Sequence, residues 1–250
     1  MKVGVILPAA GLGTRMARGA VDTTGTSRKQ FMLLEGSPIL VHTVRKFAAC
    51  ARVVEIVVAL RQDDLDWVEE LLTEEVSGIR IKVVEGGNFR QESVENAFRA
   101  LDPATELVAV HDAVRPFIDL DTINRSLDEA EITGASIVGI VPVDTVKQVS
   151  SAQAAGAKVR GTISRERLVL AQTPQVFRRD VLAQAFTAAR ADGFTGTDES
   201  SLVERLEQVQ VGVVLGSERN IKITRPGDME LARLFLEQER RQSTILQQVS

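Results

Sequence analysis

The chain has 250 residues, enough to bury a full core as one α/β domain, and its 44% apolar and 26% charged content is that of an ordinary globular protein. A net charge of −4 argues against a general nucleic-acid binder, which needs a basic surface to displace counterions; local basic pockets stay open. With Cys50 as its only cysteine and His42 and His111 as its only histidines, far apart in the chain, it has no material for a disulfide or a cysteine-rich zinc site.

The N-terminus opens on the apolar run KVGVIL (2–7), which reads as a strand. The run is too short for a secretory leader, and no stretch reaches the roughly 18 apolar residues that span a bilayer, so the expectation is a cytoplasmic protein with no membrane partner. Behind it comes LPAAGLGTRM (7–16). A dinucleotide fingerprint needs a third glycine where Met16 stands, and a P-loop needs Gly-Lys-Ser/Thr. Taken alone, Gly11 and Gly13 are read equally well as a tight turn or as backbone approaching a phosphate, with Arg15 adding charge at its end.

Further along, PILVHTVRKFAA (38–49) reads as a helix, VVEIVVAL (53–60) and IRIKVVE (79–85) as strands. RQESVENAFRAL (90–101) places Val94, Ala97, Phe98 and Leu101 on one helical face. ELVAVHD (106–112) and ASIVGIVPV (135–143) are further strands around the helix DTINRSLDEAEI (121–132). Strands that are apolar throughout are those of a parallel sheet covered on both faces, and the alternation with helices implies right-handed crossovers. The pattern breaks at 144–163, where two short β-type pieces flank an Ala/Gly turn; this reads as a hairpin arm leaving the domain, with little core of its own, and implies a homodimer built partly through it. After the arm come the helix RDVLAQAFTAARADG (179–193), a second helix opened by TDESSLVERLEQ (197–208) with Thr197 as N-cap, the strand VQVGVVLG (209–216), and a last helix over 225–241 with Pro226 in its first turn. The organisation is one domain over 1–250 plus the arm.

Ligands in open α/β sheets sit beyond the carboxyl ends of the strands, and segments 8–16, 86–93, 111–117 and 219–226 all fall there. His111 reads as structural, since nothing pairs with it in sequence, and Cys50 as a packing residue.

The combination Pro8-Ala9-Ala10-Gly11-x-Gly13-x-Arg15-Met16 with Lys29-Gln30-Phe31 resembles the nucleotidyltransferases that join a nucleoside triphosphate to a sugar or polyol phosphate. EGGNFRQES, VHDAVRPF, AQTPQVF, GTDESSLVE and NIKITRP follow in the order seen in the 2-C-methyl-D-erythritol 4-phosphate cytidylyltransferase family, and the resemblance covers residues 2–236. It implies a three-layer, Rossmann-like nucleotidyltransferase fold with a mostly parallel sheet and a protruding arm. The implied reaction joins CTP and 2-C-methyl-D-erythritol 4-phosphate to give 4-diphosphocytidyl-2-C-methyl-D-erythritol and pyrophosphate, with Mg²⁺ bridging the CTP phosphates and no metal ligands from the protein. The resemblance assigns Arg15, Lys29, Arg165 and Lys222 to catalysis. It assigns Ala9, Ala10, Gly11, Gly13, Gly87, Asn88, Arg90 and Ser93 to the nucleotide, and Asp112, Ala113, Arg115, Thr145 and Thr197 to the acceptor. Arg165 is implied to come from the other subunit. This chain departs from the pattern at Arg28, where proline is frequent, at Asn88, where an acid is frequent, and in a longer loop over 17–27. The competing readings are the same chemistry on ribitol 5-phosphate, and a non-catalytic nucleotide-binding module.

Overall fold

The computed structural model describes residues 1–11, 28–151 and 155–249. Gly13, Arg15, Met16 and the loop 17–27 lie outside the described residues.

β1 (Val3–Pro8) runs down the middle of the molecule. Its odd residues Val3, Val5 and Leu7 enter one core and Ile6 the other, as the two-residue period of a strand dictates. A short hairpin, β2 (Leu33–Leu34) and β3 (Ser37–Pro38), leads into α1 (Ile39–Ala48). Then follow β4 (Val53–Leu60), α2 (Leu65–Glu75), β5 (Arg80–Glu85), α3 (Arg90–Ala100) and β6 (Leu107–Val110). The second half holds α4 (Leu120–Thr133), β7 (Ala135–Ile140), the arm strands β8 (Val146–Val149) and β9 (Val159–Ile163), β10 (Leu170–Arg178), α5 (Arg179–Ala191), α6 (Glu199–Glu204), β11 (Val211–Leu215) and α7 (Pro226–Val249). α4 starts where the Asp119 carboxylate accepts the Thr122 N–H and stops at Gly134, whose φ of 93° is open to glycine at little cost.

Seven strands form one sheet in the order β11-β7-β10-β6-β1-β4-β5. Every pairing is parallel except those of β10, which runs antiparallel to both β6 and β7. The expected three-layer, mostly parallel architecture is therefore present, with one reversed strand. One core, around Val5, Phe47, Ile56 and Leu127, lies under α1, α2 and α4; the other, around Ile6, Val94, Phe177 and Phe186, lies under α3, α5 and α6. A third cluster of Met32, Leu34, Ile39, Phe117, Ile223 and Met229 seats the start of α7 against the loop after β6.

Several expectations need correction. Segment 65–75 is a helix and 170–178 a buried strand, and neither was read from periodicity. The strand expected over 135–143 ends at Ile140. The helix expected to open at Thr197 is capped by Asp198 instead, whose carboxylate accepts the Ser201 N–H at 3.0 Å; Thr197 is exposed one residue outside. The arm is present as an antiparallel pair, Val146 opposite Ile163. Among the described residues no helix is long and apolar enough to cross a membrane.

Candidate active site

A cavity of about 270 Å³ opens at the carboxyl ends of β1 and β6. Its first wall is main chain. The Ala9 N–H donates to the Ala59 carbonyl at 2.7 Å, which carries the strand pairing one residue past β1. The buried Gln30 side chain then donates to the carbonyls of Ala9 at 2.6 Å and Gly11 at 3.3 Å. Gln30 thus ties the short turn Lys29–Phe31 to the opening loop and brings Lys29 to the cavity.

The opposite wall is the turn into α3. The Gly87 N–H donates to Ser93 Oγ at 3.0 Å, Asn88 N–H to the Glu92 carboxylate at 2.8 Å, and Ser93 Oγ to the Phe89 carbonyl at 3.0 Å. A Cβ on Gly86 would stand 2.6 Å from the Ala10 Cβ and 3.2 Å from the Leu60 carbonyl oxygen, so the two walls approach as closely as glycine permits.

The floor is charged. Asp112, at the end of β6, pairs with Lys222 at 2.9 Å, with Arg115 at 3.1 Å and with Arg90 at 3.8 Å. Burial pushes its carboxyl up, but Lys222, Arg90 and Arg115 together outweigh burial and hold it well below the usual carboxylate range. Arg90 is fixed from behind by Glu199, both of whose oxygens accept from Nη1 at 2.7 Å. Burial pushes the Glu199 carboxyl up against the pull of Arg90. Arg115 also donates to the Asn220 carbonyl at 2.7 Å, and the Ile223 N–H donates to the Val114 carbonyl at 3.0 Å; the two bonds lock the Lys222 segment onto the loop after β6. Arg115 and Lys222 share a second cavity of about 800 Å³ on the side towards Arg225 and Asp228.

Beneath the floor lies His111, fully buried, with Nε2 3.0 Å from the Arg115 carbonyl and Nδ1 3.0 Å from Thr173 Oγ1. A carbonyl only accepts, so Nε2 carries the proton and Nδ1 accepts from Thr173, whose hydroxyl in turn accepts the Asp112 N–H at 3.0 Å. Burial pushes the imidazolium down to about 4, which keeps His111 neutral and structural, as expected from its isolation. Cys50 is buried with its thiol 3.7 Å from Asn124 Oδ1, a packing residue.

Of the residues assigned from the sequence, Ala9, Ala10, Gly11, Lys29, Gly87, Asn88, Arg90, Ser93, Asp112, Ala113 and Lys222 line this one cavity. Arg115 lines the neighbouring one. Arg165 donates to the Val143 carbonyl beside the arm, and Thr145 and Thr197 are exposed; these three line neither. Gly13 and Arg15 lie outside the described residues. Gln30, Phe89 and Glu199 were missed. Gln30 gives no local sign of its role, since its partners Ala9 and Gly11 lie about twenty residues away, and Phe89, 64% exposed at the cavity, stands in a motif marked by its glycines. Among the described residues no group of three His, Cys, Asp or Glu is placed to hold a metal, and Asp112, the carboxylate of the cavity, already serves three cations.

Residues 3–238 match the family model described as IspD: 2-C-methyl-D-erythritol 4-phosphate cytidylyltransferase. The chain is 65% identical over 245 residues to a protein of that name from Solibacter usitatus, covering 98% of this chain and 100% of the relative. It is 51% identical over 239 residues to one from Acidobacterium capsulatum, covering 95% and 98%. Among solved structures it is similar to 4-diphosphocytidyl-2C-methyl-D-erythritol synthase from Anaerococcus prevotii, with a TM-score of 0.80 at 28% identity over 94% of this chain and 96% of the other. The 2-C-methyl-D-erythritol 4-phosphate cytidylyltransferase from Thermus thermophilus superposes with a TM-score of 0.74 at 30% identity over 94% and 98%.

Proposed function

The chain belongs to the 2-C-methyl-D-erythritol 4-phosphate cytidylyltransferase family, and we propose from that premise how its residues divide the work of transferring a cytidylyl group. It is a nucleotidyltransferase of isoprenoid biosynthesis. The acceptor phosphate attacks the α-phosphorus of CTP in line; the new P–O bond forms as the bond to the β-phosphate breaks, and pyrophosphate leaves. The attacking phosphate is already ionised near neutral pH, so no strong general base is needed, and neutral, buried His111 is no candidate for one. The barrier is the meeting of two polyanions, so cations aimed at nonbridging oxygens supply most of the rate and positioning much of the rest.

Ala9, Ala10 and Gly11 form one wall of the cytosine site, and Gly87, Asn88 and Ser93 the other. Lys29 and Arg15 stabilise the charge that develops at the α-phosphorus. Arg90 holds the nucleotide side of Asp112. Asp112, Ala113 and Arg115 hold the methylerythritol phosphate, and Lys222 aligns its phosphate for attack. Mg²⁺ enters with CTP as part of the substrate, held by triphosphate oxygens; this suits a cavity whose carboxylate is spent on Lys222, Arg115 and Arg90.

The arm is the dimer contact. It and its base expose Val143, Val159, Leu170 and Ile163, an apolar surface of the kind a second copy covers. Thr145 lies on this arm and Arg165 just beyond its end, so each subunit offers them to its partner's acceptor site. We assign the reaction to the cytoplasm, where CTP is available.

The observation that carries the reading is the meeting of Lys29, Arg90 and Lys222 with two walls of main chain around one cavity. The test follows pyrophosphate release with CTP and Mg²⁺, offering methylerythritol phosphate, ribitol 5-phosphate or no acceptor. Release is expected with the first only, and Lys29→Ala is expected to lower kcat about 10²-fold, the scale of losing one oxyanion donor. Equal use of ribitol 5-phosphate would transfer the acceptor assignment, and an unchanged kcat in folded Lys29→Ala would remove Lys29 from catalysis.

A further inference from the structure

The turn that carries Lys29 is only three residues long, Lys29–Phe31, and closes on the weak bonds Phe31 N–H to Arg28 carbonyl at 3.0 Å and Met32 N–H to Lys29 carbonyl at 3.2 Å. A turn this short has no stiffness of its own. Gln30 fastens one side of it to the opening loop. The other side is fastened by residues that touch no part of the cavity. Asp64, in the loop between β4 and α2, is fully buried. One of its oxygens pairs with Arg28 Nη1, and the other accepts the Trp67 indole N–H at 3.2 Å. The Trp67 ring meets the Phe31 ring edge-on at 4.6 Å, and the Arg28 guanidinium lies over the Phe31 ring at 5.1 Å. Arg28, Phe31, Asp64 and Trp67 thus form a closed ring of contacts around the residues on either side of Lys29.

We propose that Asp64 is a positioning residue for the transfer step: its buried carboxylate latches Arg28 and Trp67, and through them sets where the Lys29 ammonium stands over the α-phosphate. The inference rests on the reading of Lys29 given above. A buried carboxylate that loses its cation is strongly disfavoured, so the pair holds together as a unit. A flexible lysine needs its backbone held if its charge is to arrive in register, since a displacement of about 1 Å can cost about 10²-fold in rate.

The test is the pair Asp64→Asn and Arg28→Gln, singly and together. Asparagine keeps the size of Asp64 and still accepts the indole N–H, but carries no charge. Each single variant is expected to lower kcat about 10-fold or more while KM for CTP moves less than about 3-fold, because the latch acts on the step and not on the cytosine walls. The double variant is expected to be no slower than the worse single one, as for residues that act together. The emission of Trp67, the only tryptophan, is expected to shift in both single variants. Arg28 is partly exposed, so Arg28→Gln keeps the test open if Asp64→Asn folds poorly. Wild-type kcat in folded Arg28→Gln, or additive losses in the double variant, overturns the latch. If Lys29→Ala retains kcat, the reading of Lys29 fails and the latch with it; if Lys29→Ala is slow while both latch variants are fast, only the latch fails.

Discussion

Lowering the pH should weaken this fold through His111 in particular. The ring is fully buried, packs edge-on at 4.8 Å from Phe47, and has both nitrogens committed, Nε2 to the Arg115 carbonyl and Nδ1 to the Thr173 hydroxyl. Its folded pKa of about 4 lies below the ordinary 6.5 because burial penalises the charged ring, with Arg115 adding to burial and the Arg115 carbonyl and Asp112 opposing it. The folded state therefore binds fewer protons than the unfolded chain between these values. The stability that His111 contributes is fully present above 6.5 and is lost as the pH falls towards 4. Between pH 7.5 and 5 the difference in protonation amounts to about 2 kcal/mol. The assay is urea unfolding of the wild type and His111→Gln at both pH values. Glutamine does not titrate, so its loss between the two pH values should be smaller by about 2 kcal/mol; other groups contribute to both proteins and cancel. Equal losses in the two proteins would falsify the assignment of a depressed pKa to this histidine. Protonation also strikes Nδ1, where Thr173 now donates, and so disturbs the bond from Asp112 N–H to the same hydroxyl. In the folded wild type that proton binds only around the folded value of about 4, so the activity of folded enzyme should fall there, below the window in which stability is lost.

Three further outcomes follow from the same geometry. Lys222→Ala should raise KM for the acceptor by about 10-fold or more and leave KM for CTP nearly unchanged, because it removes one charge-assisted contact on the acceptor side; an effect confined to CTP would reverse the assignment. Phe89→Ala should raise KM for CTP about 5- to 100-fold with little change in kcat, the scale of one base–aromatic contact, whereas an unaltered KM would return Phe89 to being an exposed cap of α3. Val159→Asp, with the charge placed on the apolar arm, should convert a sedimenting dimer to a monomer and lower kcat by withdrawing the partner's Arg165; a wild-type protein that sediments as a monomer at micromolar concentration would remove the arm from that role.

Gly11, Gly87, Asp112 and Lys222 were legible because they fall in segments beyond strand ends that apolar runs announce, and the topology then brings those ends to one rim; Lys29 stands far from any such end and was assigned through the resemblance carried by Lys-Gln-Phe. What holds these residues was not legible. β10 carries Gln172, Thr173 and Gln175, all buried, and so reads as polar loop. Each is satisfied only by a residue distant in sequence. Gln172 accepts from Asn220 at 3.1 Å, Thr173 meets His111 at 3.0 Å, and Gln175 donates to Asp198 at 2.7 Å and accepts the Ser200 N–H at 3.0 Å. Polar side chains in a central strand contradict any pattern rule, and only the finished fold supplies their partners. α2 was missed for the opposite reason. It buries only Val68 and Leu72 fully, so its apolar stripe is narrow among acids. The pairing of Arg90 with Glu199, 109 residues apart, left no local trace at all.

The reversed direction of β10 has a cause that joins the arm to the site. Parallel neighbours need a crossover, and antiparallel neighbours need only a return. β7 and β10 are hydrogen-bonded neighbours, Leu170 opposite Ile140 and Phe177 opposite Ala135, and what connects them is the arm itself. The arm is the extended loop of a β7–β10 hairpin, so a chain that leaves the sheet through it must come back antiparallel. The expectation of a hairpin excursion over 144–163 already contained this consequence, although the strand was not drawn. The returning strand is also the one whose Thr173 supports His111 and Asp112 and whose Gln175 supports the capping Asp198 next to Glu199. One hairpin therefore carries the proposed partner contact on its arm and the supports of the charged floor on its returning strand β10. A change of the arm that shifted β10 by one residue would turn its polar supports to the other face, unmaking the floor without touching any residue that lines the cavity.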